Sequence, residues 1–285
     1  MRNLRESEAG FLMHSSQPKH HPIGIFDSGV GGLSVYQAIR HALPDEDLLY
    51  IADSRHAPYG ERSTEFIITR AIALTEFLIS RGAKAVVVAC NTATVIAVNI
   101  LRQRFEIPII ALEPAIKPAV AHTQSGAVGV LATRRTLESP SVARLCRDYA
   151  ADARVMLQPC PGFVEHVELG DIDSPATLDL VARHLAPLLQ SGVDTLVLGC
   201  THYVYLRTAI QQVAGGNVLV LDSSEAVARQ VARRIGTTLP LGAQPRQARE
   251  TFFTTAQSTH QATHQVSAVM SRLLGREVRV EFAEV

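Results

Sequence analysis

The chain has 285 residues, enough for one large domain or two of ordinary size. Hydrophobic residues make up 47% and charged residues 19%, which excludes a disordered chain. Its 27 basic and 27 acidic side chains cancel, and with no Trp and 5% aromatics it has neither the charge nor the stacking surface of a nucleic-acid scaffold.

Four cysteines, Cys90, Cys146, Cys160 and Cys200, do not make a disulfide framework in a chain this long. No C-x-x-C pair points to structural zinc, and no metal is expected. The apolar runs fall far short of the roughly 20 residues that a membrane helix needs. Residues 1–21 read as a disordered leader, polar and aperiodic, without the apolar core of a signal peptide. Its His20-His21 pair reads as solvated. Together these features describe a soluble protein of a reducing cytoplasm.

From Pro22 onward short apolar runs alternate with amphipathic stretches. Strands are expected at 23–26, 48–52, 85–89, 107–112, 127–132, 153–157, 195–198 and 218–221. A helix over 64–80 sets Phe66, Ile67, Ala71, Leu74, Phe77 and Leu78 on one face. A second over 177–190 does so with Leu178, Val181, Leu185, Leu188 and Leu189, and Pro187 is expected to kink it or end it early. Residues 225–235 read as helical. Strands alternating with helices imply β-α-β units and mainly parallel sheets, buried on both faces.

The halves resemble each other. In each, a glycine turn (Arg81-Gly82, Ser191-Gly192) precedes an apolar strand that ends in cysteine: Ala89-Cys90-Asn91-Thr92 and Gly199-Cys200-Thr201-His202. The expected fold is therefore α/β, with two similar lobes, each a mainly parallel sheet flanked by helices, and the active site in the cleft between them. The division reads as a leader at 1–21, a first lobe of 22–113 plus 225–285, and a second lobe of 114–224.

Ligands of open parallel sheets bind beyond the carboxyl ends of the strands. Those ends carry Asp27 and Ser28, then Gly29, Gly31 and Gly32; Asp53, Ser54, Pro58, Tyr59 and Gly60; Cys90, Asn91 and Thr92; Thr133 and Thr136; and Cys200, Thr201 and His202. Small hydroxyls, amides and helix N-termini of this kind suit a small carboxylate or phosphate ligand. The segment 24–32 is neither G-x-G-x-x-G nor a P-loop, so no nucleotide fingerprint is present. Its glycines fit a tight strand-to-helix turn.

A cysteine between a strand end and a helix start is expected to have a lowered pKa. Two such thiols facing each other, Cys90 and Cys200, could remove a proton from a carbon and return one to its opposite face. A single thiol would point instead to covalent catalysis. Cys146, within an expected helix, and Cys160 read as small core hydrophobes. Asp27 fits either a helix cap or a catalytic group. His202, two residues after Cys200, suits a thiol partner, and Glu168 also fits a solvent-facing helix position. The chain has only three lysines: Lys19 in the leader, Lys84 before a strand, and Lys117. That scarcity disfavours pyridoxal phosphate, the usual electron sink for an amino-acid α-proton, and no cofactor is expected.

These motifs resemble the glutamate racemase family. The resemblance rests on Gly24-Ile25-Phe26-Asp27-Ser28-Gly29-Val30-Gly31-Gly32-Leu33-Ser34-Val35, on Ala52-Asp53 through Pro58-Tyr59-Gly60, and on Cys90-Asn91-Thr92-Ala93. It continues with Glu113-Pro114, Leu131-Ala132-Thr133 with Thr136, Gly199-Cys200-Thr201-His202-Tyr203, and Phe252-Phe253-Thr254-Thr255 followed by Leu274-Gly275. It implies cofactor-independent interconversion of L- and D-glutamate, supplying D-glutamate for peptidoglycan, in an enzyme that forms homodimers. It further implies that Cys90 takes the α-proton from D-glutamate and Cys200 from L-glutamate, that Asp27 and His202 assist the thiols, and that Asp53 and Glu168 are secondary acid/base or electrostatic residues. Asp27, Ser28, Pro58, Tyr59, Gly60, Asn91, Thr92, Thr133, Thr136, Thr201 and His202 would bind the substrate. Glu165, Val204 and Arg135 depart from the family pattern, at positions where it usually has proline, proline and glycine. Aspartate racemase shares the weaker motifs, so aspartate or another small acidic amino acid is an alternative substrate. A non-catalytic two-lobed amino-acid-binding module is the alternative outside enzymes; it would need no thiols.

Overall fold

The computed structural model describes residues 21–150, 152–236, 248–257 and 260–285. Most of the expected leader, including His20, lies outside the described residues. His21 is already anchored, its Nδ1 3.1 Å from the Gly82 carbonyl.

The first strand, β1 (Ile23–Asp27), leads through α1 (Leu33–Ala42) to β2 (Leu48–Ala52). Then come α2 (Thr64–Ser80), β3 (Ala85–Val88), α3 (Asn91–Arg104), β4 (Ile109–Ala111) and α4 (Ile116–His122). The second sheet is built from β5 (Ala127–Ala132), β6 (Arg154–Pro159), β7 (Thr195–Leu198) and β8 (Leu219–Leu221). Between these strands run α5 (Arg134–Leu137), α6 (Pro140–Tyr149), α7 (Phe163–Glu168), α8 (Pro175–Gln190) and α9 (Arg207–Ala214). The chain ends with α10 (Ser224–Ile235), β9 (Glu250–Thr254), α11 (His260–Leu274) and β10 (Val280–Phe282).

Among the described residues the sheets have the orders β10-β9-β2-β1-β3-β4 and β6-β5-β7-β8, and their pairings are parallel. The order 2-1-3-4 in the first is repeated as 6-5-7-8 in the second, which gives the internal resemblance of the sequence a structural form. In each sheet the order reverses beside the central strand, between β1 and β3 and between β5 and β7. A crevice opens at such a switch point because the two connections leave in opposite directions.

The strands form where apolar runs are buried on both faces, as parallel sheets require. Ile25 lies between Tyr50 and Val87 in register, and all three are buried. One apolar cluster runs from the inner face of the first sheet, through Ile25, Tyr50 and Val87, to Leu131, Leu196 and Cys200 of the second. Two smaller clusters lie on the outer faces, around Leu74 and Val86 in one lobe and Val130 and Val142 in the other. The helix α2 starts where Ser63 accepts the Phe66 N–H, a side-chain cap for an otherwise orphan donor.

Two expectations need correction. Pro187 does not end α8 early: the helix continues to Gln190. Pro187 lies on the exposed side, between the buried Leu185 and Leu188, so the apolar face stays packed despite the lost hydrogen bond. The strands β9 and β10 were not expected. β9 extends the first sheet alongside β2, and β10 is a three-residue edge strand, Val280-Glu281-Phe282, too short and too charged to leave an apolar run. α10 packs on α1 and β4. Among the described residues no helix is long and apolar enough to cross a membrane.

Ile25 is wholly buried at the middle of β1. Ile25→Ala is expected to cost about 2–5 kcal/mol, the range for deleting a large aliphatic side chain from a packed core. Urea unfolding should show the midpoint fall with an unchanged slope.

Candidate active site

The carboxyl ends of β1, β3, β5 and β7 meet where the lobes face each other. Asp27 ends β1 and has no solvent exposure. Its Oδ1 accepts the Ser28 N–H at 2.8 Å, and its Oδ2 accepts the Gly32 N–H at 2.6 Å and the Thr201 hydroxyl of the other lobe at 3.3 Å. Burial raises its pKa, against the opposing pull of His202 and the two N–H groups.

Glu168, at the end of α7, reaches from the second lobe into the glycine loop of the first. Its Oε1 accepts the Val30 N–H at 2.7 Å and lies 2.6 Å from His202 Nε2. On the other side of the ring, His202 Nδ1 lies 3.9 Å from Cys200 Sγ and 4.0 Å from Asp27 Oδ2. Burial works against a charged imidazole, but Cys200, Glu168 and Asp27 outweigh it, and the His202 pKa stands well above its ordinary value. Glu168 is therefore a bridge between the lobes and not a solvent-facing helix residue.

The glycines of this loop also have a role other than the tight turn that the sequence suggested. Gly29, Gly31 and Gly32 take no positive φ. A Cβ at Gly29 would sit 1.9 Å from Glu168 Oε1, and one at Gly31 2.2 Å from His202 Nδ1. Their lack of a side chain is what lets the lobes close.

Cys90 follows β3 and caps α3, its Sγ accepting the Ala93 N–H at 3.4 Å. Its thiol faces Ser28 Oγ at 3.6 Å. The expected lowering of its pKa does not hold. Burial pushes the thiol up, the Asp27 carboxylate adds to that, and the Ala93 N–H and Ser28 hydroxyl offset only part of it. Cys200 follows β7 and precedes a 3-10 turn, His202–Leu206, so the two cysteines share a strand-end position but have different local supports. They are only 5% and 7% exposed, so the cleft is closed around them.

Across the cleft three hydroxyls form a triangle. Thr92 lies 2.9 Å from Thr133 and 3.2 Å from Thr136, which are 2.9 Å from each other. A Cβ at Gly60 would be 3.3 Å from Thr133 Cβ, so the turn Tyr59–Glu61 lies against the same wall. Asn91 begins α3 beside them, buried.

The Asp/Glu/Hydantoin racemase family model matches residues 23–231. The chain belongs to this family. A glutamate racemase of Ectopseudomonas mendocina (strain ymp) is 48% identical over 260 residues, 91% of this chain and 97% of that one. One from Methylococcus capsulatus (strain ATCC 33009 / NCIMB 11132 / Bath) is 54% identical over 215 residues, 75% and 79% of the two chains. The crystal structure of Escherichia coli glutamate racemase in complex with L-glutamate and the activator UDP-MurNAc-ala superposes with a TM-score of 0.81 at 34% identity, covering 93% of this chain and 99% of that one. That of a Bacillus anthracis glutamate racemase isoform gives 0.81 at 31%, covering 94% and 98%.

Within this racemase-family fold the remaining residues named from sequence fall into place. Asp53 follows β2 and is turned into a polar knot, accepting from Arg70, Tyr59 and Thr255. Pro58 precedes the turn that carries Tyr59 and Gly60. Cys160 is buried in the inner cluster, while Cys146 is half-buried on α6. Lys84 pairs with Glu46, and Lys117 lies over the Tyr149 ring, both outside the cysteine cleft; Lys19 lies outside the described residues. Glu165 is exposed on α7, and the helix carries Glu168 to its place regardless. Sequence reasoning gave no role to Arg70, nor to two residues of the quoted motifs, Thr255 and Ser34; the Ser34 hydroxyl reaches the carbonyls of Gly31 and Thr201. The one available signal was a lone arginine beside the apolar stripe of the 64–80 helix.

Gly31→Ala is expected to hold the lobes apart, because the methyl group would overlap the His202 ring and its backbone nitrogen. Iodoacetamide should then label Cys90 and Cys200 faster than in the native chain, and equal rates would show that the loop adjusts instead. For His202 the folded pKa is raised above about 6.5, the unfolded imidazole value. Its stabilising effect is full below that pH and is lost as pH rises through the folded value. The stability advantage of the native chain over His202→Gln, read by urea unfolding, should therefore shrink with rising pH.

Proposed function

We propose that the chain interconverts L- and D-glutamate by a two-thiol mechanism that needs no cofactor. The observation that carries this reading is the pair of buried cysteines at matching strand ends of two repeated sheets, in a chain 48–54% identical to proteins named glutamate racemase. One thiolate takes the α-proton and the opposite thiol delivers a proton to the other face of the carbanion, which inverts the centre. Cys90 would serve D-glutamate and Cys200 L-glutamate.

The surroundings support that division. Burial and the Asp27 carboxylate push the Cys90 thiol up, so forming its thiolate calls for a positive charge nearby. A substrate α-ammonium beside Asp27 and Cys90 would bring the positive charge that thiolate formation needs. His202, held by Glu168, supplies it at Cys200. Thr92, Thr133, Thr136, Asn91, Ser28, Thr201 and the Pro58–Gly60 turn would hold the carboxylates and the amine. The excluded water strengthens each of these interactions as charge develops on the carbanion. The same reading makes the protein a cytoplasmic homodimer that provides D-glutamate for peptidoglycan.

The test is incubation with L-glutamate in D2O without pyridoxal phosphate. Loss of optical rotation together with the α-proton signal is expected. Cys90→Ser and Cys200→Ser should each lower turnover by about 10²–10⁴-fold, the usual weight of a positioned acid or base. Racemisation of aspartate but not glutamate would move the substrate assignment, and substantial turnover by either serine variant would remove the two-thiol mechanism.

A further inference from the structure

We propose that Arg70 is a positioning residue of the cleft: it locks the Asp53 carboxylate, and Asp53 in turn holds the Tyr59 hydroxyl and so the turn at 58–60 against the cleft wall. The part of this proposal that concerns substrate rests on the racemase reading.

The geometry leaves Asp53 no free acceptor. Arg70 grips it with two bonds, Nε to Oδ2 and Nη2 to Oδ1, both 2.9 Å. Tyr59 donates to Oδ2 at 2.5 Å and Thr255 to Oδ1 at 2.7 Å. An ionised carboxylate offers about four acceptor sites, and four donors occupy them. Asp53 is wholly buried. It therefore has no lone pair to exchange a proton with a ligand, and its role is mechanical. The donors also hold it in the charged form: its pKa lies below the ordinary carboxylate value although burial pulls the other way.

Arg70 is fixed at its other corner, where Nη1 donates to the Val285 backbone oxygen at 2.7 Å. The end of β2, the middle of α2, the 58–60 turn and the residue after β9 thus meet at one carboxylate, and Arg70 ties the segment after β10 to them. Their common product is the placement of Tyr59, which is buried, and of Gly60 beside Thr133. A lysine at position 70 could not replace the fork, because one ammonium cannot bond both carboxylate oxygens along parallel directions.

The test compares Arg70→Met, Arg70→Lys and the double variant Arg70→Met/Asp53→Asn. For Arg70→Met the KM for both enantiomers should rise about tenfold, or about 1.4 kcal/mol, with kcat changed much less. The double variant should recover part of that loss, because it removes the unpaired buried charge while Asn still accepts from Tyr59. Tyr59→Phe added to Arg70→Met should change KM little further. A fall in kcat at constant KM, or a double variant no better than the single one, would overturn the proposal. Hydrogen exchange gives a reading that needs no turnover: residues 57–62 should exchange faster in Arg70→Met, or in Arg70→Lys if the methionine variant does not fold. Unchanged exchange there overturns the proposal even if the native chain racemises glutamate. Faster exchange in a chain that does not racemise glutamate upholds the positioning and rejects the substrate reading.

Discussion

The approach of the Gly29–Gly32 loop to Glu168 and His202 governs the rest of the cleft. A single carboxylate oxygen binds a backbone N–H of one lobe and an imidazole of the other. That contact exists only when the lobes are together, and it needs positions 29 and 31 to carry no side chain. It also sets the state of His202, whose positive charge is supported by Glu168 on one ring nitrogen and by Cys200 and Asp27 near the other. Of these groups only Asp27 belongs to the first lobe, so closure adds one carboxylate to contacts that the second lobe makes within itself.

The two thiols are supported differently. Cys90 is held by the first turn of α3 and by Ser28; Cys200 is held by an imidazole. The first support is made of neutral dipoles and is outweighed by burial and by Asp27. The second is an imidazole that Glu168 of the same lobe holds from its other nitrogen. Both thiols are largely shielded from solvent and meet mainly their polar neighbours.

Much of the fold was legible in the sequence because parallel strands buried on both faces leave continuous apolar runs; residues 48–52, 127–132 and 195–198 have the bounds read from them. β9 and β10 escaped because an edge strand such as Val280–Phe282 has little apolar length. The strand-end residues could be named because the topology of β-α-β units sends them to one edge. Their chemistry was less legible. A rule drawn from sequence neighbours gave Cys90 a lowered pKa, whereas its surroundings are set by residues far away in the chain. For Glu168 a solvent-facing position stood open beside an acid/base or electrostatic role for the same reason: its partner, the Val30 N–H, lies 138 residues away. The donors that surround Asp53, from Arg70, Tyr59 and Thr255, lie at positions that its sequence neighbours do not indicate.

The repeated strand order, 2-1-3-4 and 6-5-7-8, has a thermodynamic consequence for a racemase. Mirror-image substrates have equal free energies in water, so their equilibrium constant is unity. The specificity constant kcat/KM must then be the same in both directions, whatever the two active-site halves look like. Under the two-thiol proposal a folding unit used twice would present one thiol to each face of the carbon, and the equality would hold however the two halves differ. The difference between the halves, an α-helix cap at Cys90 and a histidine at Cys200, is therefore confined. It can raise kcat in one direction only by raising KM there in the same proportion, which leaves the cell's ratio of the two enantiomers to be set by whatever consumes one of them.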